Sequence, residues 1–319
     1  MSTSEALGPA TGSASAPVPQ LVGEPPHARS TVRGLKKLIW IALLTGLSVL
    51  FLYPFIWLVS ASFKPQGDVF DNRLVPREWS WNFDEVFEAA PVLNWLVNSF
   101  WIGALGAAGV TFASALVAFA FAYFRFPGRN VLFGLVLATM MLPPQVTMIP
   151  TYLIWNEVGK FTTEHAWLPH IGVNTQYPLW VPNLFGSAFY IFLLRQFFLG
   201  IPRELFEAAR IDGDSYFSMW RRIALPLAKP ALIVTFVFEI QAKWFDLMTP
   251  LIYLRDEALF TLPLGIKTIL DRYGTGGGGE GEWQIIVAAT LVLTLPMIVI
   301  FAVFQRYFVE GIATQGRKG

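Results

Sequence analysis

The sequence predicts an all-α membrane protein with six transmembrane helices. Charged residues make up 14% of the 319, against about 25% in an ordinary soluble domain, and hydrophobic residues make up 54%. Long uncharged segments alternate with short charged ones, and the mean hydropathy is +0.51. Because so few charges cannot cover a water-soluble surface of this size, lipid is expected to be the solvent for much of the chain.

Six segments are long and apolar enough to be the transmembrane helices, since about 20 residues cross the hydrocarbon core. The first follows Lys36 and Lys37, and its uncharged run is too long for the apolar part of a cleaved signal peptide. The fifth contains three charged side chains. The predicted spans are 38–63, 100–124, 131–155, 171–194, 230–254 and 283–305.

The distribution of basic residues predicts the orientation. Residues 1–35 are rich in Ala, Ser and Pro, and we expect a disordered cytoplasmic tail before a six-span domain at 36–319. Six spans place both termini on one side, and lysine and arginine concentrate in cytoplasmic loops. With both termini in the cytoplasm, 15 of the 23 basic residues lie inside. They are Arg29, Arg33, Lys36, Lys37, Arg125, Arg129, Arg195, Arg203, Arg210, Arg221, Arg222, Lys229, Arg306, Arg317 and Lys318.

Several chemical functions are disfavoured by composition. A net charge of +1 gives no reason to expect nucleic-acid binding, and the absence of cysteine excludes thiol catalysis and thiolate metal sites. The glycine run 276–279 lacks the lysine of a phosphate-binding loop and is interpreted as a flexible linker. The spans carry no catalytic constellation of an intramembrane enzyme, so neither a cofactor nor a metal site is expected.

One ordered segment, residues 200–226, predicts two short helices joined by a sharp turn, which we call the elbow. Pro202 suits the start of the first helix, and Glu204 would lie in its first turn, near the positive end of the dipole. Gly213 would end it in a left-handed conformation, and Asp214 or Ser215 could cap the second helix. The elbow would present small alanines to a cleft on a cytosolic partner.

Three other features concern the interior of the spans. Ser114, Ala118 and Ala122 recur every four residues and would allow close helix packing. The pair at 143–144 and Pro296 would kink their spans, either as a packing irregularity or as a bend lining a pathway. Glu239, Lys243 and Asp246, at i, i+4 and i+7, would form one stripe, as an ion-pair network or as part of a hydrophilic pathway.

The elbow also resembles a known motif. Glu207-Ala208-Ala209, three residues, Gly213, nine residues and then Ile223-Ala224-Leu225-Pro226 match every fixed position of the EAA loop of binding-protein-dependent ABC importer permeases. IFLLRQFF at 191–198, PLIYL at 250–254, TLPLGI at 261–266 and the tail FQRYFVEGIATQGRKG further resemble the MalG-like permeases of carbohydrate uptake. The resemblance covers about residues 36–319.

The resemblance implies a type I ABC importer permease in a bacterial or archaeal cytoplasmic membrane. Its implied partners are a second, MalF-like permease subunit, a dimer of ATP-binding subunits that binds ATP and magnesium, and an extracytoplasmic solute-binding protein that delivers a carbohydrate. The implied coupling residues, which would contact the ATP-binding subunit, are Glu207, Ala208, Ala209, Gly213, Ile223, Leu225 and Pro226. Where many relatives have Trp-Asn-Asp, this chain has Trp244-Phe245-Asp246, so that motif's role does not transfer directly.

Two alternatives stay open. The cargo could be a non-sugar solute such as glycerol phosphate or a polyol, since these belong to the same wider branch. A self-powered secondary transporter would use the charges of the fifth span directly, without an ATPase.

Overall fold

The computed structural model describes residues 26–165, 167–274 and 281–315, and their regular secondary structure is helical throughout. The all-α prediction is therefore confirmed. The glycine run at 276–279 and the first 25 residues lie outside the described part. In its first half the chain forms α1 (Pro26–Ala61), α2 (Phe83–Ala89), α3 (Val92–Tyr123), α4 (Arg129–Thr139), α5 (Pro144–Glu164), α6 (Tyr177–Trp180) and α7 (Ala188–Leu199).

The second half begins with the elbow. It forms α8 (Arg203–Ile211), α9 (Tyr216–Met219), α10 (Leu225–Leu227), α11 (Lys229–Trp244), α12 (Met248–Tyr253), α13 (Leu262–Tyr273) and α14 (Trp283–Gln315). Short 3₁₀ turns at 66–68, 181–185 and 257–259 and one π-helical turn at Trp220–Ala224 connect these helices.

Four helical stretches in the described ranges are long and apolar enough to cross a bilayer, at 36–61, 92–123, 177–199 and 283–307. Two bent pairs of helices also satisfy these criteria when each pair is taken together. One joins α4 to α5 with a bend of 93°, and the other joins 216–227 to α11 with a bend of 80°. The count of six spans thus holds when each bent pair is one span.

The structure corrects several predicted boundaries. α1 begins at Pro26, so the end of the predicted tail is helical. The predicted span 131–155 is broken between Thr139 and Pro144, since Pro143 lacks an amide hydrogen and a residue before proline avoids the helical region. Pro296, by contrast, lies inside the continuous α14.

The fourth and fifth spans also differ from the prediction. The fourth becomes helical at Tyr177 and runs to Leu199, with an interruption at Gly186, whose φ is +82°. The fifth does not continue from 230 to 254, because α11 ends at Trp244 and the chain resumes as α12 at Met248. Hydrophobicity located these segments, but it carries no information on where the helical hydrogen bonds stop.

The described chain divides into two compact units at Phe55. The first is the part of α1 that ends at Phe55, and its side chains from Lys36 onward are exposed. The second contains the remaining helices, with α3 at its centre. As predicted, Ser114, Ala118 and Ala122 are buried. The Ser114 hydroxyl accepts a hydrogen bond from the Ser187 amide at 3.1 Å, which ties α3 to the start of α7.

Candidate functional site: the elbow and an intramembrane polar cluster

The turn of the elbow has the predicted conformation. Gly213 follows the last residues of α8 with φ of +85°, in the left-handed region that glycine adopts without strain. Its amide donates to the Arg210 carbonyl at 3.2 Å, and the Asp214 amide donates to the Ala209 carbonyl at 2.9 Å. These two bonds form a Schellman motif, which satisfies the carbonyls left over at the end of the helix.

The second arm of the elbow starts with a side-chain cap. The Ser215 hydroxyl accepts from the Ser218 amide at 3.2 Å, and the Ser218 hydroxyl donates to the Asp214 carboxylate at 2.9 Å. α9, the π-helical turn and α10 then continue the arm to Leu227. Of the implied coupling residues in this arm, Ile223 and Leu225 are half-buried against the core, and Pro226 is exposed at the start of α10.

One face of α8 is anchored to the transmembrane helices. Phe206 is buried, and its ring centroid lies 5.8 Å from Phe119 and 5.2 Å from Tyr123, both on α3. Ala209 and Phe206 belong to the same buried cluster as Phe198 at the end of α7. α8 is therefore in direct ring contact with α3 and shares a buried cluster with the end of α7.

The opposite face of the elbow is open. Glu207 and Ala208 are exposed, and Leu205 and Ile211 beside them are 45% and 87% exposed. On the second arm, Phe217 is 57% exposed. Apolar side chains on a short helix with small neighbours are typical of a helix that fits into a groove on a partner.

One contact links the two arms of the elbow, and a second lies within the second arm. The Arg210 guanidinium lies 4.3 Å from the centroid of the Tyr216 ring, and Arg222 approaches the Asp214 carboxylate at 3.8 Å. From the sequence, the membrane orientation of the chain was the only explanation for Arg210 and Arg222. The contacts add a structural role, because the Arg210 contact joins residues on opposite sides of Gly213 and Arg222 steadies the second arm just after the turn.

The predicted charged stripe of the fifth span is not a continuous helical face. α11 ends at Trp244, so Asp246 lies beyond it, where its carboxylate accepts from the Thr249 amide at 3.0 Å and caps α12. Glu239 and Lys243 remain on α11. Among the described residues, no salt bridge joins any of the three, and both interpretations of the stripe, an ion-pair network and part of a hydrophilic pathway, stay predictions.

Glu239 instead belongs to a cluster that the sequence did not reveal, and we call Asn183, Tyr190 and Glu239 the polar cluster. The Glu239 side chain is 9% exposed, the Asn183 amide donates to its carboxylate, and the Tyr190 hydroxyl interacts with the same group. Asparagine and tyrosine inside the apolar run 171–194 were the available signals, but nothing local pairs them with residue 239.

Lys243 lies beside this cluster against α3. A Cβ atom at Gly106 would lie 3.6 Å both from the Lys243 Cε atom and from the Asn183 side chain. Gly106 of α3 therefore lies where both the lysine stem and the asparagine amide pack against the helix. The polar cluster and Lys243 together form a polar strip between α3, α11 and the 181–185 turn.

A helical chain with up to six spans and an elbow of this geometry is the architecture expected of an importer permease, and comparison with known proteins identifies the class. Residues 111–314 match the family described as "Binding-protein-dependent transport system inner membrane component". The chain belongs to this family, the membrane permeases of ABC importers. It is a multi-pass transport component of the cytoplasmic membrane, and the resemblance stated from the elbow motif is confirmed.

Relatives with known names extend the similarity over most of the chain. The arabinooligosaccharides transport system permease protein AraQ of Bacillus subtilis is 31% identical over 279 residues, covering 86% of this chain and 92% of the relative. The sn-glycerol-3-phosphate permease UgpE of Pectobacterium atrosepticum is 31% identical over 289 residues, covering 88% and 96%. Both span nearly the whole permease domain.

A solved structure has the same fold. A bacterial ABC transporter involved in the import of the acidic polysaccharide alginate matches with a TM-score of 0.70 at 22% identity, over 86% of this chain and 96% of that one. The importer-permease architecture predicted from the sequence is therefore confirmed.

Proposed function

We propose that this permease translocates a carbohydrate, delivered by an extracytoplasmic binding protein, and that a separate dimer of ATP-binding subunits drives it through the elbow. A second, MalF-like permease subunit would complete the pathway. The observation that carries the proposal is the two-sided elbow. Phe206 fixes one face of α8 to α3 and α7, while the face with Glu207 and Ala208 is open.

The elbow geometry supports a mechanical role. The ATP-binding subunits would hold the open face of α8, and their closure on ATP would move it as a rigid piece, because Gly213 and the Arg210–Tyr216 contact fix the angle between the arms. The aromatic contacts of Phe206 would pass that movement to α3 and α7. The spans would then exchange outward for inward access to the cargo.

The cargo class rests on relatives and on the chemistry of the interior. AraQ is named for arabinooligosaccharides and the structural match for alginate, and both names are of carbohydrates. The strip formed by Asn183, Glu239 and Lys243 supplies donors and acceptors of the kind that sugar hydroxyls use. The UgpE similarity at the same identity supports the alternative, glycerol phosphate or a polyol.

Ligand binding by the cognate solute-binding protein tests the cargo class most directly. Calorimetric titration with arabino-oligosaccharides, maltodextrins and glycerol 3-phosphate should give saturable binding of at least one sugar. Saturable binding of glycerol 3-phosphate with no binding of either sugar would replace the carbohydrate proposal by its alternative.

Reconstitution tests the energy source. Liposomes with the permease pair, the ATP-binding subunits and the binding protein should take up the cargo only when ATP is supplied on the cytoplasmic side. Uptake by this chain alone, driven by an ion gradient, would establish the secondary transporter instead.

The proposed orientation can be tested by labelling, because the chain contains no cysteine. An impermeant maleimide should label Phe217→Cys in the elbow only from the cytoplasmic side. It should label Gly67→Cys, an exposed position after the first span, only from the outside. Labelling of both positions from one side would overturn the six-span topology.

A further inference from the structure

A cleft lined by three arginines lies beside the elbow. It has a volume of about 440 Å³, within the range of about 300–1,000 Å³ that small-molecule sites occupy. Arg125 contributes from the connection between α3 and α4, Arg129 from the start of α4, and Arg203 from the first turn of α8. We call it the arginine cleft. Its other lining residues are Phe126, Gly128, Asn130 and Val131, so its lining contains no carboxylate.

The arginines of the cleft carry charge that the described part of the chain leaves unpaired. None of the three makes a salt bridge there. Arg129 Nη1 donates to the Phe124 carbonyl at 3.2 Å, which fixes the position of that guanidinium without neutralising it. Arg195 lies close enough to Arg129 for the two charges to repel. Three guanidinium groups without a salt bridge to any described residue make the cleft electropositive, although Glu207 lies with Arg125 and Arg203 around the adjoining pocket.

The start of α4 adds to this charge. Gly128 is the residue before the helix and provides no side-chain cap, and the first turn contains Arg129 but no acidic residue. A cation at this end opposes the helix dipole, and the first amides of a helix have no acceptor within it. The Arg129 amide donates to the Phe126 carbonyl at 3.3 Å, so an anion in the arginine cleft would serve chiefly the guanidinium groups and the next amides of the first turn.

Apolar surface continues from the cleft along α4. Val131, which lines the cleft, is 68% exposed, and Leu135, one turn further along the same helical face, is 59% exposed. α4 is part of a bent pair with the length and composition of a membrane span. A ligand that matches both parts has an anionic head and an apolar tail.

We infer that the arginine cleft binds the headgroup of an anionic phospholipid from the cytoplasmic leaflet. The phosphate would lie among Arg125, Arg129 and Arg203, with an acyl chain along Val131 and Leu135. Arginine recognises phosphate through paired N–H donors, and the cytoplasmic leaflet carries the anionic lipids. The inference rests on the proposed orientation for the choice of leaflet, but not on the identity of the cargo.

Native mass spectrometry of the assembled, detergent-solubilised transporter, titrated with phosphatidylglycerol, tests the inference. Arg125→Gln and Arg129→Gln should each weaken phosphatidylglycerol binding by about fivefold, the effect expected for one basic residue near an anionic lipid. Arg129→Lys keeps the charge and should retain most of the binding. The matched control is Arg221→Gln, which removes an exposed elbow arginine outside the cleft.

Two further titrations separate the ligand sources. Phosphatidylcholine should bind more weakly than phosphatidylglycerol, and inorganic phosphate should not displace the lipid, since it has no acyl chain. Equal binding of both lipids, displacement by inorganic phosphate, or equal losses in Arg221→Gln and the two cleft variants would overturn the inference. These titrations use neither cargo nor ATP, so they test lipid binding even if the proposed transport function is wrong.

Discussion

The elbow and the polar cluster use their polar groups in different ways. In the elbow, the hydrogen bonds that set the turn join residues at most five apart, such as the Asp214 amide and the Ala209 carbonyl, and the outer face stays open. In the polar cluster, Asn183 reaches Glu239 across 56 residues, and the carboxylate is buried. The elbow is a locally built piece suited to contact with a partner, whereas the cluster exists only when α11 and the 181–185 turn are packed together.

The largest expected effect comes from the anchor of the elbow. Phe206→Ala should lower the free energy of unfolding by about 3–5 kcal/mol, because it removes a buried ring between α3 and α7. Chemical unfolding of the purified permease would measure it. Phe217→Ala, on the open face, should change stability by less than about 0.5 kcal/mol. Equal losses in the two variants would remove the distinction between an anchored and an open face.

The next effect tests the polar cluster. Asn183→Leu should cost about 1–3 kcal/mol, because the buried Glu239 carboxylate loses its amide donor. The double variant Asn183→Leu with Glu239→Leu should recover part of this loss, since neither the amide nor the carboxylate is then left unsatisfied, although the Tyr190 hydroxyl loses its partner. A double-mutant cycle, with each free energy of unfolding measured by chemical denaturation, would give the coupling between Asn183 and Glu239. Purely additive losses of stability would show that the two side chains are not coupled.

The smallest effect concerns the cap of the second arm. Ser215→Ala should cost about 1 kcal/mol, because the Ser218 amide loses its acceptor. Ser48→Ala, which removes an exposed hydroxyl that bonds only within its own helix, is the control and should cost less than about 0.5 kcal/mol. If both substitutions have the same effect on unfolding, the cap contributes nothing to the elbow.

The sequence predicted the elbow well because its determinants are local. Gly213 and Ser215 act on atoms within a few residues, so spacing alone reveals the turn and the cap. The pairing of Asn183 with Glu239 depends on how two distant segments pack, and no local pattern encodes it. The end of α11 at Trp244 was missed for the same reason, since Phe245 and Leu247 are as apolar as the helix before them.

The implied role of the coupling residues stays a prediction. The geometry of Gly213 is the predicted one, and Glu207 and Ala208 are exposed as a docking surface requires. Ala209 is buried with Phe206, so it contributes to the anchor of the elbow rather than to its open face. The implied docking motif thus contains two kinds of residue, those that face outward and those that hold α8 against the transmembrane helices.

The coupling assay on Gly213 variants tests the central claim most directly. Among the described residues, no atom lies within 4 Å of a Cβ built at Gly213, so within this chain a substitution acts through the backbone conformation. Valine disfavours the left-handed conformation, and asparagine tolerates it. In the assembled transporter, Gly213→Val should reduce the rate of cargo-stimulated ATP hydrolysis by about tenfold or more, while membrane insertion is unchanged. Gly213→Asn should keep that rate within about twofold of the native transporter. Full coupling in a correctly inserted Gly213→Val variant would contradict the account.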